Sequence, residues 1–125
     1  MTNLEIARLL RKVAAAYTVK DEKKFRFQII AYTRAADSIE HTTSEVKDLW
    51  EDGKLDTLPG IGTSIKSHLE KLFKTGKVKH FEWVMKDLPA SMFPLLEIPT
   101  FGPKKAYRLV TEFSLKNPKT VVRAL

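Results

Sequence analysis

The chain has no cysteine among its 125 residues. That excludes disulfides, thiolate catalysis and cysteine-bound zinc, and suits a reducing, cytoplasmic setting. No apolar run approaches the ~20 residues needed to cross a bilayer, so no membrane partner is expected. The start, Met1-Thr2-Asn3-Leu4-Glu5, lacks the basic-then-apolar layout of a secretory leader. Strand-like alternation is missing throughout, and the expected fold class is all-α, a small multi-helix domain. Clustered carboxylates on adjacent strands, as two-metal nucleotidyl transfer requires, are also missing. There is no G-x-x-x-x-G-K-[ST] loop and no Ser/His/Asp arrangement. His41, His68 and His80 lie far apart in sequence without metal-ligand spacing, and are expected as isolated surface or half-buried residues. No catalytic residue and no cofactor is therefore assigned within the chain.

Acidic residues are outnumbered by basic ones, 15 to 22, for a net charge of +7. The excess is uneven: residues 1–40 carry +3, residues 41–62 carry −3, and residues 63–125 carry +7. A basic face of this kind points to a polyanionic partner, most often nucleic acid. The alternative is a lysine-rich surface that only keeps the chain soluble.

Apolar residues recur at helical spacing along the chain. Thr2-x-x-Glu5 is a capping box for a helix to about Tyr17, with Ile6, Leu9, Leu10, Val13 and Tyr17 on one face. A charged connection, Lys20 to Lys24, leads to a second helix over about Phe25 to Glu40, in which Ala35 and Ala36 permit close packing. Tyr32 on that helix is equally well a core tyrosine or a ligand. Thr42-x-x-Glu45 predicts a third, acidic helix from Thr43 to Glu51, with Val46, Leu49 and Trp50 buried and Gly53 just past its end. Further helices are expected over Thr63 to Thr75, stopped by Gly76, and over Val78 to Asp87, stopped by Pro89. A short helix over Ser91 to Glu97 and a last full one over Pro103 to Phe113 follow. The tail, Asn117 to Leu125, reads as a helix just begun, which suggests a longer protein.

The stretch around which the rest is organised is Leu58-Pro59-Gly60-Ile61-Gly62-Thr63-Ser64. Pro59 presets a turn and the glycines accept unusual backbone angles. The helix that follows begins with free N–H groups at its positive dipole end, a site suited to phosphate. A plain turn between helices is the simpler reading. Against it, the frame recurs forty residues later as Ile98-Pro99-Thr100-Phe101-Gly102-Pro103-Lys104-Lys105, with Leu69 matching Leu109 and Phe73 matching Phe113. Two copies of one unit, about 43–75 and about 90–114, indicate paired helix–hairpin–helix motifs within one domain. Thr100 replaces the first glycine in the second copy, and Pro103 suits a first helical position.

These residues, in order, resemble a family. Asn3-Leu4-Glu5-Ile6-Ala7, Phe25-Arg26-Phe27-x-x-x-Ala31-Tyr32-x-x-Ala35-Ala36, the Leu58 to Gly62 hairpin, Gly76-Lys77 and the Ile98 to Ala106 stretch follow the amino-terminal region of family X DNA polymerases, bacterial and archaeal members above all. The resemblance implies a monomeric module that binds gapped or nicked DNA without sequence preference, as part of a repair polymerase acting in base excision repair near the nucleoid. Backbone N–H groups at Gly60, Gly62, Ser64 and Ile65, with Thr63, Lys66 and Tyr32 nearby, would hold the 5′-phosphate side. Those at Thr100, Gly102, Lys104 and Lys105 would hold the upstream strand. It also implies a monovalent cation, Na⁺ or K⁺, on the carbonyls of Leu96, Ile98 and Phe101, or of Asp56, Leu58 and Ile61 in the first copy, and Mg²⁺ only in a parent polymerase. Some members carry a lyase that removes a 5′-deoxyribose phosphate through a lysine Schiff base. Here that position holds His68, and the lysine positions of the phosphate pocket hold Gln28, Asp56 and Ser64; only Tyr32 matches. An imidazole cannot form the iminium, so a lyase would need a relocated lysine such as Lys66 or Lys71. A helical protein-interaction domain is the remaining alternative.

Overall fold

The computed structural model describes residues 1–86, 88–98 and 102–112. Among them are seven α-helices and no strand: α1 Asn3–Asp21, α2 Arg26–His41, α3 Val46–Glu51, α4 Thr63–Thr75, α5 Lys79–Met85, α6 Met92–Leu95 and α7 Pro103–Glu112. A single 3-10 turn, Leu55–Thr57, precedes the first hairpin. The expected tail helix from Asn117 and the end of the last helix at Phe113 lie outside the described residues.

α1 is the axis of the domain. Five consecutive residues, Val13, Ala14, Ala15, Ala16 and Tyr17, are buried, which a helix covered on one side alone cannot achieve. α2 covers one flank, and α5 and α7 cover others. Small side chains make this possible: Ala14 and Ala16 on α1 and Ala35 and Ala36 on α2 are all in the main core, so the two backbones approach closely. The pair is antiparallel, since Asn3 reaches Ser44, Arg11 reaches Asp37, and Tyr17 lies beside Tyr32. Ile6, Leu10, Ile39, Leu55 and Leu69 are fully buried, each contributing about 1.5–3 kcal/mol of transfer free energy. A second cluster, Met92 and Leu95 of α6 with Ala106 and Val110 of α7, joins α1 through Val19.

Helix ends show where local signals won and where they lost. Thr2 caps α1, its Oγ1 accepting from the Glu5 N–H at 3.2 Å, but α1 runs one turn beyond Tyr17. α4 spans the residues expected, and Gly76 ends it at φ 76°, a left-handed angle that favours glycine. The capping box expected at Thr42 does not form. Thr42 terminates α2, and α3 begins three residues late, at Val46. Its first N–H is held by Asn3, whose Oδ1 accepts from Val46 at 2.9 Å while its Nδ2 donates to the Ser44 carbonyl at 2.9 Å. A partner at the start of α1 thus displaced the local one. Leu49 and Trp50 are half-buried rather than buried, Trp50 stacking on Phe73 with centroids 5.2 Å apart.

Replacing Asn3 with Ala removes both bonds and leaves the α3 N-terminus uncapped. The expected loss is about 1–2 kcal/mol, read as a lower urea midpoint with an unchanged slope; an unchanged midpoint would show that the Asn3 bridge is energetically silent.

Candidate nucleic-acid interface

The first hairpin is held from below by apolar side chains. Leu55 and Leu58 are buried, Ile65 is buried one turn into α4, and Ile61 packs at the edge of the same core. Pro59 and Gly60 form the exposed tip. Gly60 has φ 79°, and a Cβ built there would stand 3.5 Å from Cβ of Arg34, so the tip rests on α2. Gly62 is different. Its φ is −81°, and the space where a side chain would go is open. It sits at the N-cap of α4, where no side chain caps the helix; the first N–H groups of α4 therefore lack intrahelical and side-chain cap partners. Thr63 and Ser64 are exposed. Lys66 lies one turn in, its Nζ 3.0 Å from Oδ2 of Asp56.

In the second copy, Thr100 and Phe101 lie outside the described residues. Gly102 is exposed with open space at its Cβ position, and its carbonyl accepts from the Ala106 N–H at 3.0 Å. Pro103 is the first residue of α7. Lys104 pairs with Glu22 at 3.0 Å, across to the end of α1, and Lys105 is exposed beside it. Leu96 and Ile98 pack at the rim of the second cluster. In the first copy no hydrogen bond among the described residues reaches the carbonyls of Leu58 or Ile61.

An open cavity of about 480 Å³ adjoins the first turn of α4. Its walls include Tyr17 of α1, Gln28 and Tyr32 of α2, Ser64 and His68 of α4, and His80 of α5. The chain thus brings Gln28, Tyr32, Ser64 and His68 together, while Asp56 stands apart, paired with Lys66. Phe27, 83% exposed, stands on the rim. No lysine lines the cavity, and Lys66 is turned to Asp56.

The histidines depart from expectation. His68 and His80 are not isolated: their rings stack with centroids 4.8 Å apart and planes 13° from parallel. Each ring is held by a tyrosine. Tyr32 Oη lies 3.0 Å from Nδ1 of His68, and Tyr17 Oη lies 2.5 Å from Nε2 of His80. Phe81 meets His68 edge-on at 5.2 Å, and Trp83, with Lys20 over its ring, leans on His80. His41 remains alone, its ring bonded to the Asp37 carbonyl at 2.7 Å. Local spacing carried no sign of the pair: His80 reaches His68 only through where α5 lands after the Gly76 cap. Tyr17, taken as a core position, supplies the hydroxyl that anchors it.

Burial first, then the neighbouring His80 and Lys71, holds His68 below the ordinary histidine range. Burial and Lys71 do the same to His80. Burial raises both tyrosines, with Tyr17 adding to the effect on Tyr32, so the hydroxyls keep their protons. In the unfolded chain each histidine titrates near 6.5. Below that pH the unfolded state binds more protons than the folded one, so this contribution to stability is complete above it and is lost as pH falls. The thermal midpoint is expected to drop between about pH 7.5 and about pH 5.5, and to drop less in a His68→Gln, His80→Gln variant; equal drops would assign the loss to other groups.

Residues 1–78 match the family model of a helix-hairpin-helix domain. Across 124 residues, 99% of this chain, the sequence is 27% identical to the DNA polymerase/3′-5′ exonuclease PolX of Bacillus subtilis (strain 168). The match takes in 21% of that relative, so the chain spans about a fifth of its length. None of the helices among the described residues is long and apolar enough to cross a membrane. With the hairpin, its uncapped helix and the family model all falling on the same residues, the chain belongs to the helix-hairpin-helix domain family.

Proposed function

We propose that the chain is the DNA-binding, amino-terminal part of a family X repair polymerase, and that it grips gapped or nicked DNA through the phosphate backbone. The observation that carries this reading is the first hairpin: a glycine tip seated on α2, followed by a helix whose leading N–H groups no side chain caps, opening beside a polar cavity. Similarity to a polymerase along nearly the whole chain supports it. So does the positive charge of residues 63–125.

Gly60, Gly62, Thr63, Ser64 and Ile65 hold the 5′-phosphate side, with Tyr32 and Lys66 flanking. The N-terminal turn of α7, with Gly102, Lys104 and Lys105, holds the upstream strand. Backbone N–H groups bind phosphate without reading bases, so binding is independent of sequence. A monovalent cation on the hairpin carbonyls of Leu58 and Ile61, and on those of Leu96, Ile98 and Phe101 in the second copy, would bridge to phosphate by charge alone. A lyase is not part of the proposal, because His68 stands where the amine would be needed.

Fluorescence anisotropy with intact, nicked and short-gapped duplexes, the last bearing a 5′-phosphate, tests the reading. The phosphorylated gap is expected to bind best, with affinity falling steeply as salt rises. Equal binding to all three would reduce the chain to a generic backbone binder, and no binding at low salt would favour the protein-interaction domain. Replacing Lys104 and Lys105 together by Ala is expected to weaken binding to every sequence and to lower the salt slope by up to about 2. An unchanged slope would remove α7 from the interface.

A further inference from the structure

We propose that the stacked His68–His80 pair is a one-proton switch that links the binding of a 5′-phosphorylated DNA end to proton uptake. The inference rests on the DNA-binding reading above and concerns the regulation of that same cavity.

The first support is geometric. Both rings line the cavity that Ser64, in the first turn of α4, also lines. They lie 4.8 Å apart and nearly parallel, too close for both to carry charge in a half-buried place, so the pair accepts one proton and resists a second. The second support is the hydrogen bonding. In either tautomer a neutral ring keeps one lone pair; once protonated, it donates from both nitrogens. In the tautomer whose lone pair faces the tyrosine, Tyr32 donates to His68 Nδ1 or Tyr17 to His80 Nε2; on protonation that tyrosine must accept instead, and the freed O–H turns toward the cavity. One proton therefore supplies a cation and a reoriented hydroxyl donor, both suited to a phosphate oxygen.

The surroundings set the sign. From α1 the pair meets Tyr17, with Lys20 further out over Trp83; from α2 it meets Tyr32 and the neutral Gln28; from α4 it meets Ser64 and feels Lys71; from α5 it has Phe81 and Trp83. No carboxylate lines the cavity. The empty pair is accordingly held neutral at physiological pH by burial and by Lys71. A phosphate dianion entering the cavity opposes both effects, so the bound pair takes up its proton at higher pH than the free one. Affinity rises as pH falls, by at most tenfold per pH unit for one proton. A cavity lined with lysine would be charged throughout this range and would show no such dependence.

Calorimetric titration of the chain with the 5′-phosphorylated gapped duplex, near pH 7 in two buffers of different ionisation enthalpy, counts the protons. Uptake approaching one proton per duplex is expected, with clearly less for the same duplex ending in a 5′-hydroxyl. Affinity for the phosphorylated duplex is expected to rise several-fold from about pH 8 to about pH 6.5, above the point near 6 where the phosphate itself gains a proton. The His68→Gln, His80→Gln variant is expected to bind without uptake. Should that variant fail to fold, the imidazole resonances of the native chain decide: the midpoints of His68 and His80 rise on DNA binding. Binding without proton uptake, uptake retained in the variant, or midpoints of His68 and His80 that do not move would overturn the switch and leave the DNA-binding reading standing. No binding of the gapped duplex at all would overturn both.

Discussion

The burial of five consecutive residues of α1 is the constraint on which the rest depends. Val13 to Tyr17 face every direction around the helix, so this stretch must be covered on all sides. Three alanines keep the helix thin enough to be surrounded, and α2, α5 and α7 close around it. The closure fixes more than a core. Tyr17 ends the buried run, and it is there that Tyr32 arrives from α2 and His80 from α5. The polar wall of the cavity is thus a by-product of how α1 is wrapped. Arg11, bridging Asp37 and Glu40 at the surface of the same seam, adds little by comparison.

The charges are divided in a way that suits a phosphate-facing surface. Lysines gather after the first hairpin, yet the cavity walls are neutral: hydroxyls, an amide and two imidazoles. Lys66 is occupied with Asp56 and Lys104 with Glu22. Such exposed pairs are worth under about 1 kcal/mol and exchange partners easily, so both cations can turn to a polyanion at small cost. The hairpin backbones do not have that freedom. Gly60 is fixed by its left-handed turn against Arg34, and Gly62 by its place at the head of α4. In the proposed binding mode, fixed donors would set where a strand lies, and mobile cations would raise the affinity once it is there.

Much of this was legible in the sequence wherever a signal was local. The bounds of α4 were readable because Gly62 and Gly76 punctuate it and an apolar stripe runs between them. The hairpin was readable from Pro59 and its glycines. The start of α3 was misread, because Thr42 and Glu45 form a plausible cap, but Asn3, 43 residues before Val46, holds the Val46 N–H and the helix starts there instead. The histidine pair was illegible for the same reason at larger scale. His80 lies twelve positions after His68, and no period or spacing joins them; only the landing of α5 against α1 does. Tyr32, left open between core and ligand, packs as a core tyrosine, 4% exposed, with its hydroxyl bonded to a cavity imidazole.

The relation between the N-termini of α4 and α7 follows from the same axis. The first hairpin rests on α2 at Arg34, and α2 is zipped to α1 from Asn3 to Tyr17. The second half is fastened to α1 directly: Val19 enters its cluster, Arg8 meets Glu97 at 3.4 Å, and α7 packs on α1 while Lys104 reaches Glu22. Both N-termini are thus tied to the α1–α2 seam. Surface pairs such as Arg8–Glu97 are too weak to enforce their spacing alone, whereas the alanine-rich seam is part of the main core and cannot slide without opening it. In the proposed binding mode, a rigid spacing between these two N-termini would select the path of the strands rather than their sequence. That is the property a module needs if it is to recognise an interruption in DNA by shape.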